Sequence, residues 1–297
     1  LDLLGGPSPS LAIGTHALLQ PDVEFRRLGL VVVDEQHRFG VLQRANLQQK
    51  AVCPDVLVMT ATPIPRSLAL VLYGDLDLSV IDELPPGRQP ITTRWIDDRQ
   101  RSQIEEELRA RLARGERAYV VCPMVEESTA ELRAAVQTAE MYRRGLLGGF
   151  GVGLVHGRLP SAEKAATIAA FRLGRIRLLV ATTVVEVGVD VPEATAMVIE
   201  HADRLGLAQL HQLRGRVGRA DRPAVCFVVA DREEIGEEAR TRLEAFTCEH
   251  DGFALAEADL KLRGPGEFFG TRQSGIDGFR LGDLTADLSL LEAARTE

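Results

Sequence analysis

Lysine is the residue this chain goes almost without. Among 35 basic side chains only Lys50, Lys164 and Lys261 are lysines, and none follows a glycine. No Gly-x-x-x-x-Gly-Lys-Ser/Thr string occurs in the 297 residues, which excludes a P-loop of the kind whose amides and lysine cradle terminal phosphates. Cysteine is sparse as well. Cys53, Cys122, Cys226 and Cys248 stand far apart, without the paired spacing of a zinc site or a disulfide framework, and this usage fits a reducing cytoplasm. No apolar run approaches the roughly 18 residues of a membrane span, so no membrane partner is expected. The opening Leu1-Asp2-Leu3-Leu4-Gly5-Gly6-Pro7 has no basic segment to make it a signal peptide, and the lack of an initial Met leads us to expect a fragment or a processed chain. Nor is there an excess of positive charge: the net charge is −8. It is all in residues 231–297, with 8 basic and 16 acidic side chains, while residues 1–230 hold 27 of each. That balance disfavours a non-specific cationic binder and leaves room for a local basic groove.

What is present begins with Leu30-Val31-Val32-Val33-Asp34-Glu35-Gln36-His37. Four apolar residues, three of them β-branched, predict a buried strand, and two carboxylates follow where it ends. Ligands of open parallel sheets bind at the carboxyl ends of strands. A carboxylate there can hold Mg²⁺ through its water shell, and the next can polarise an attacking water. Taken alone, the octet fits a plain strand cap equally well.

Strands and helices alternate along the rest of the chain, predicting an α/β fold with parallel sheets covered on both faces. Leu11–Ile13 reads as a strand running into Thr15 and His16, which suit either a phosphate contact or a hydrogen-bonded turn. Val56–Met59 reads as a strand ending in the hydroxyls Thr60 and Thr62, with helices expected over 39–49 and 66–73. Leu84-Pro85-Pro86-Gly87-Arg88-Gln89-Pro90 is linker-like, which sets a first domain at 1–84, a linker at 85–95 and a second domain at 96–230. In the second domain Ile104, Leu108 and Leu112 share a helix face. Strands are expected over 118–122, 152–155, 176–181, 196–199 and 224–229, with helices over 129–147 and 161–172. Polar strings follow three of these elements: His156-Gly157-Arg158, Thr182-Thr183 with Gly188 and Asp190, and Gln212-Leu213-Arg214-Gly215-Arg216-Val217-Gly218-Arg219. The three arginines of the last string are poor core material and suit either a solvated helix end or a group reaching toward phosphoryl charge. Residues 231–297 form a tail with helices near 233–248, 253–262 and 283–294, broken at Arg263-Gly264-Pro265-Gly266 and followed by the polar loop that holds Gln273.

In this order the strings resemble superfamily 2 helicases and translocases. Asp34–His37 looks like motif II, Thr60-Ala61-Thr62 like motif III, Thr182–Asp190 like motif V and Gln212–Arg219 like motif VI. Within the superfamily the chain is most similar to the RecG family of DNA helicases. That similarity is carried by Val-Val-Val-Asp-Glu-Gln-His-Arg-Phe-Gly, Met-Thr-Ala-Thr-Pro-Ile-Pro-Arg, Ile-Asp-Glu-Leu-Pro-Pro-Gly-Arg and Asp-Leu-Lys-Leu-Arg-Gly-Pro-Gly-Glu-Phe-Phe-Gly-Thr-Arg-Gln-Ser-Gly. The last string resembles a translocation motif shared with the transcription-repair coupling factor Mfd, whose chains usually read Asp-Glu-Glu-His where this one has Gln36.

The resemblance implies two RecA-like motor lobes, the first partial and the second complete, followed by a helical C-terminal region. It implies ATP and Mg²⁺ as cofactors, with Asp34 organising the metal and Glu35 activating water. Gln36, His37, Thr60, Thr62, Gly188, Asp190 and Gln212 would bind nucleotide or couple it to motion. Arg216 and Arg219 would face the γ-phosphate, Arg219 as the finger. Thr15, His16, His156, Arg158, Thr182 and Thr183 would contact DNA, and Arg263 and Gln273 would couple hydrolysis to translocation. The implied partners are branched or forked duplex DNA and single-stranded-DNA-binding protein, with a cytoplasmic monomer at full length. The family's wedge domain and P-loop have no counterpart here, so the chain alone is expected to be inactive. Two other readings stay open: a non-catalytic binding module derived from a motor, and an Mfd-like translocase.

Overall fold

In the computed structural model the chain divides into two compact units, residues 1–62 and 63–297. The structure describes residues 10–20, 22–34, 54–61, 77–81, 83, 87–123, 129–182 and 191–263. In the first unit the strands β1 (Leu30–Val33) and β2 (Asp55–Val58) pair in parallel, Val33 opposite Val58. Among the described residues of this unit only Val23 and Val33 are buried apolar side chains, and Leu30, Val32, Val56, Leu57 and Met59 are exposed.

The second unit is built on a six-stranded parallel sheet. Its strands are β3 (Ile91–Ile96), β4 (Arg117–Val121), β5 (Val152–Val155), β6 (Leu178–Ala181), β7 (Ala194–Ile199) and β8 (Ala224–Val229), in the order β3-β8-β7-β4-β6-β5. Alternation along the strands divides the core. Ala118, Val120, Val198 and Phe227 join a cluster with α1 (Arg101–Ala113) and α2 (Thr129–Arg144). Tyr119, Val121, Ile199 and Val228 join a second cluster that takes in Phe171 of α3 (Ser161–Arg172). This second cluster also holds Leu207, Leu210 and Leu213 of α4 (Leu207–Arg214), Leu243 and Phe246 of α5 (Glu237–Cys248), and Leu255 of α6 (Gly252–Arg263). Period-2 strands buried on both faces need two helical layers, and the predicted Ile104, Leu108 and Leu112 face supplies part of one, all three fully buried.

Three differences from the sequence reading have physical causes. Leu11–Ile13 is not a strand: Leu11 and Ile13 are 85% and 89% exposed, and no strand among the described residues pairs with them. Residues 91–95 are not linker but most of β3, so the second unit's sheet begins before residue 96. Residues 231–263 do not stand apart as a third region, because α5 and α6 are part of the second unit's core. The helices expected over 39–49, 66–73 and 283–294 lie outside the described residues.

Candidate functional site

Because all strands of each sheet are parallel, the polar strings that follow them gather at carboxyl edges. In the first unit the Met59 amide donates to the Val33 carbonyl at 2.8 Å, which brings exposed Asp34 and exposed Thr60 to the same end of the β1–β2 pair. Thr15 caps a short 3₁₀ helix (His16–Leu19) through its carbonyl, which accepts from Leu18 N at 3.0 Å, and its side chain makes no cap bond. Glu35, Gln36, His37 and Thr62 lie outside the described residues.

In the second unit, Val155 is opposite Ala181, so His156 and Thr182 leave adjacent strand ends at one level. Thr182 is fully buried and its amide donates to the Val155 carbonyl at 3.2 Å. The Thr182 hydroxyl and His156 Nδ1 are buried without a hydrogen-bond partner among the described residues. Burial, then Lys164 and Arg158, holds the His156 imidazole below its ordinary range, so it is neutral near pH 7. Lys164 Nζ donates to the Gly157 carbonyl at 2.6 Å and fixes the turn that presents exposed Arg158.

At the end of β7, Arg101 clasps Glu200 with two 2.8 Å hydrogen bonds and also meets Asp98 at 2.9 Å. The Glu200 hydrogen bonds, foremost, raise the Arg101 guanidinium further above its ordinary range. His201, next in the chain, has φ 45°, the single non-glycine left-handed residue among those described.

The arginine string starts on α4. Leu207, Leu210, Leu213 and Arg214 form its buried face. Arg214, expected to be solvated or reaching outward, is instead a core residue, 3% exposed. It donates to Thr93 Oγ1 at 3.2 Å and to the carbonyls of Phe246, Glu249 and His250 at 3.2, 2.9 and 3.3 Å, and it lies 4.4 Å over the Phe246 ring. Those carbonyls cluster where α5 ends and its acceptors lack helical partners, which suits a five-donor cation. Beyond α4, Gly218 turns at φ 68°. A Cβ there would stand 3.0 Å from the Ala224 Cβ and 3.1 Å from Ile91, so the turn packs against the sheet only as glycine. Half-buried Arg216 and exposed Arg219 flank it, and Arg219 Nε donates to the Gly215 carbonyl at 3.3 Å. Gln212 is half-buried on α4. Arg263 is the last residue of α6. Thr183, Gly188, Asp190 and Gln273 lie outside the described residues.

Residues 99–221 match the family described as "Helicase conserved C-terminal domain". Residues 249–297 match "ATP-dependent DNA helicase RecG, domain 3, C-terminal". The ATP-dependent DNA helicase RecG of Thermotoga maritima is 52% identical over 288 residues, which cover 97% of this chain. The chain belongs to the RecG family. The RecG of Synechocystis is 54% identical over 96% of this chain. A solved RecG, bound to a three-way DNA junction, superposes with a TM-score of 0.73 at 47% identity over 98% of this chain. The fold is accordingly the RecA-like fold of RecG motor domains. The chain spans 37% and 34% of the two relatives and 37% of the solved RecG.

Two site features escaped the sequence reading. Arg101 and Glu200 lie 99 residues apart, and nothing local marks them as partners. Arg214 shares its string with exposed arginines, and its distinguishing mark, an i+7 spacing from Leu207 on the buried face, is legible only once α4 is placed.

Proposed function

We propose that this chain belongs to an ATP-driven motor that translocates on duplex DNA and remodels branched structures such as stalled forks and Holliday junctions. The observation that carries the reading is the paired exit of His156 and Thr182 from β5 and β6, each with a buried polar atom that has no hydrogen-bond partner among the described residues and with exposed Arg158 beside them. Hydroxyl, neutral imidazole and guanidinium together suit phosphate and sugar oxygens, the contacts that position a protein on nucleic acid without reading its sequence. Thr183, Thr15 and His16 extend that role.

Asp34, exposed beyond a parallel strand, offers the hard oxygen that Mg²⁺ takes while keeping most of its waters, and with Glu35 it would hold the ion. The bound Mg-nucleotide supplies the phosphoryl group. Glu35 orients and deprotonates the attacking water. Arg216 and Arg219 neutralise charge on the transferring group. Gln36, His37, Thr60, Thr62, Gly188, Asp190 and Gln212 bind nucleotide or relay its state, and Arg263 and Gln273 couple hydrolysis to movement on DNA. The full-length protein is a cytoplasmic monomer that meets single-stranded-DNA-binding protein at forks.

The 297-residue chain carries no P-loop, and phosphoryl transfer depends on positioning and charge. We therefore expect no DNA-stimulated phosphate release from it alone, and turnover once it is joined to the upstream segment of the Thermotoga maritima RecG. In the joined protein Glu35→Gln should slow hydrolysis by about 10²-fold or more, and Arg219→Ala by about 10³-fold. Brisk turnover by the chain alone, or near-normal turnover by either variant, would refute the assignment it tests.

A further inference from the structure

At the amino edge of the six-stranded sheet the register between β7 and β4 slips by one residue. Ala194 is opposite Arg117 and Ala196 is opposite Ala118, so Thr195 is a bulge with no partner on β4. The ladder to β8 begins only at Ala196. A bulged residue must satisfy its polar groups outside the ladder, and Thr195 is too buried for water to do it. Its hydroxyl donates to Glu116 Oε2, and its carbonyl accepts from Arg111 Nη1 at 3.4 Å. The same Nη1 donates to the Pro223 carbonyl at 2.7 Å, and Arg111 Nε donates to Glu107 at 2.8 Å. Arg114 Nε donates to the second Glu116 oxygen at 2.7 Å. Arg111 and Glu116 are both buried.

The turn after α4, which carries Arg216 and Arg219, meets this network at both of its ends. On one side the Gly218 amide donates to the Ala194 carbonyl at 3.2 Å, one residue before the bulge. On the other, Pro223 leads into β8 beneath the Arg111 guanidinium. Arg219 lies between these two fixed points. A buried ion network is weak evidence for stability, because apolar side chains of similar volume often serve as well. An apolar side chain has no donors, however, and does not hold two carbonyls at a set separation as a guanidinium does. We propose that Arg111 and Glu116 are positioning residues for the turn after α4. By holding the Thr195 bulge and the Pro223 carbonyl they fix where Gly218 docks, and through it where Arg219 stands. The effect on hydrolysis rests on the role proposed above for Arg219, whereas the seating of the turn does not.

The test compares Arg111→Met, which keeps the bulk and loses the donors, with Arg117→Met. Arg117 lies at the same edge with a side chain 11% exposed, and its guanidinium is paired with Glu193 at 2.8 Å rather than with the bulge. The first arm is amide hydrogen exchange of the 297-residue chain, read by mass spectrometry. In Arg111→Met, exchange over residues 215–223 should quicken about tenfold, the equivalent of one charge-assisted hydrogen bond, while β5 and β6 stay within about twofold of wild type. Arg117→Met should leave 215–223 unchanged. Arg111→Lys, which keeps one charged donor for Pro223, should fall between, and it carries the test if the methionine variant does not fold. The second arm is ATP hydrolysis by the joined protein. Arg111→Met should lower kcat about tenfold or more with KM within about twofold of normal, as expected when a transition-state group is displaced. Arg111→Lys should recover part of the rate, and Arg117→Met should stay near normal. Unchanged exchange over 215–223 in Arg111→Met, or faster exchange spread alike across the sheet in both methionine variants, would overturn the proposal. So would local loosening with normal turnover in a joined protein that Arg219→Ala does slow. If Arg219→Ala itself leaves turnover normal, the finger role fails, and the exchange arm still decides whether Arg111 seats the turn.

Discussion

His211 sits where α4, Arg88 and the end of α5 converge. Burial, then Arg214 and Arg88, push its imidazole down to about 4 from an ordinary 6.5, with Asp251 opposing. Below pH 6.5 the unfolded chain takes up a proton that the folded one refuses, so stability is complete above that pH and falls as pH drops toward 4. The loss across that window is on the order of 2 kcal/mol after allowance for partial solvation. His211→Gln removes the titration while its amide oxygen can still accept from Arg214. Urea unfolding at pH 7 and pH 5 should therefore show a smaller drop in midpoint for the variant than for the wild-type chain. Equal drops would mean the slope arises elsewhere. Arg214 marks the limit of residue-level reading: a sequence shows three arginines at i, i+2 and i+5, but not that one is enclosed by carbonyls more than 30 residues later in the chain. By contrast the position of Asp34 and Thr60 just beyond β1 and β2 is legible, because a strand's end is marked by the loss of its apolar run.

Through Arg214, α4 is fastened to the end of α5. Removing the guanidinium leaves buried carbonyls unpaired, so Arg214→Ala should cost about 3 kcal/mol in urea unfolding. Arg214→Lys should recover less than half, since one ammonium cannot span the same acceptors. Hydrogen exchange should show the loss concentrated in α5 and α6. A uniform loss across the sheet would argue that Arg214 supports the whole unit rather than this joint. Most elements of the second unit were readable to within a few residues, because β4 to β8 are apolar runs and α1 carries a clean i, i+4, i+8 face. β3 was not. Ile91-Thr92-Thr93-Arg94-Trp95-Ile96 follows three prolines and has polar side chains at three of six positions, as suits an edge strand with one partner. The prolines drew the linker boundary several residues too far. Leu11–Ile13 failed the opposite way: an apolar triplet was enough to suggest a strand, but a strand needs a ladder partner.

At the scale of the molecule, the parallel strands of each sheet bring strings separated by tens of residues to one edge. The tail helices α5 and α6 complete the same core, which ties the residues leading to Gln273 to the unit that carries the arginine string. In the joined protein, Gln273→Ala should leave DNA affinity and DNA-stimulated phosphate release within about twofold of normal, because a neutral amide adds little to salt-dependent phosphate binding. Strand displacement on the same forked substrate should fail. Parallel loss of both activities with a lower melting temperature would mean that Gln273 only holds its loop. The edge position of β3 carries a further consequence, one of timing. Trp95 Nε1 donates to the carbonyl of Ala230, 135 residues later, and among the described strands β3 pairs only with β8, the last of them in the sheet. At roughly 5–20 residues per second of synthesis, the edge strand waits on the order of ten seconds for its partner to be made. The first strand of this sheet to leave the ribosome is therefore the last to be zipped, and until then its ladder groups are open to any chaperone or neighbouring chain.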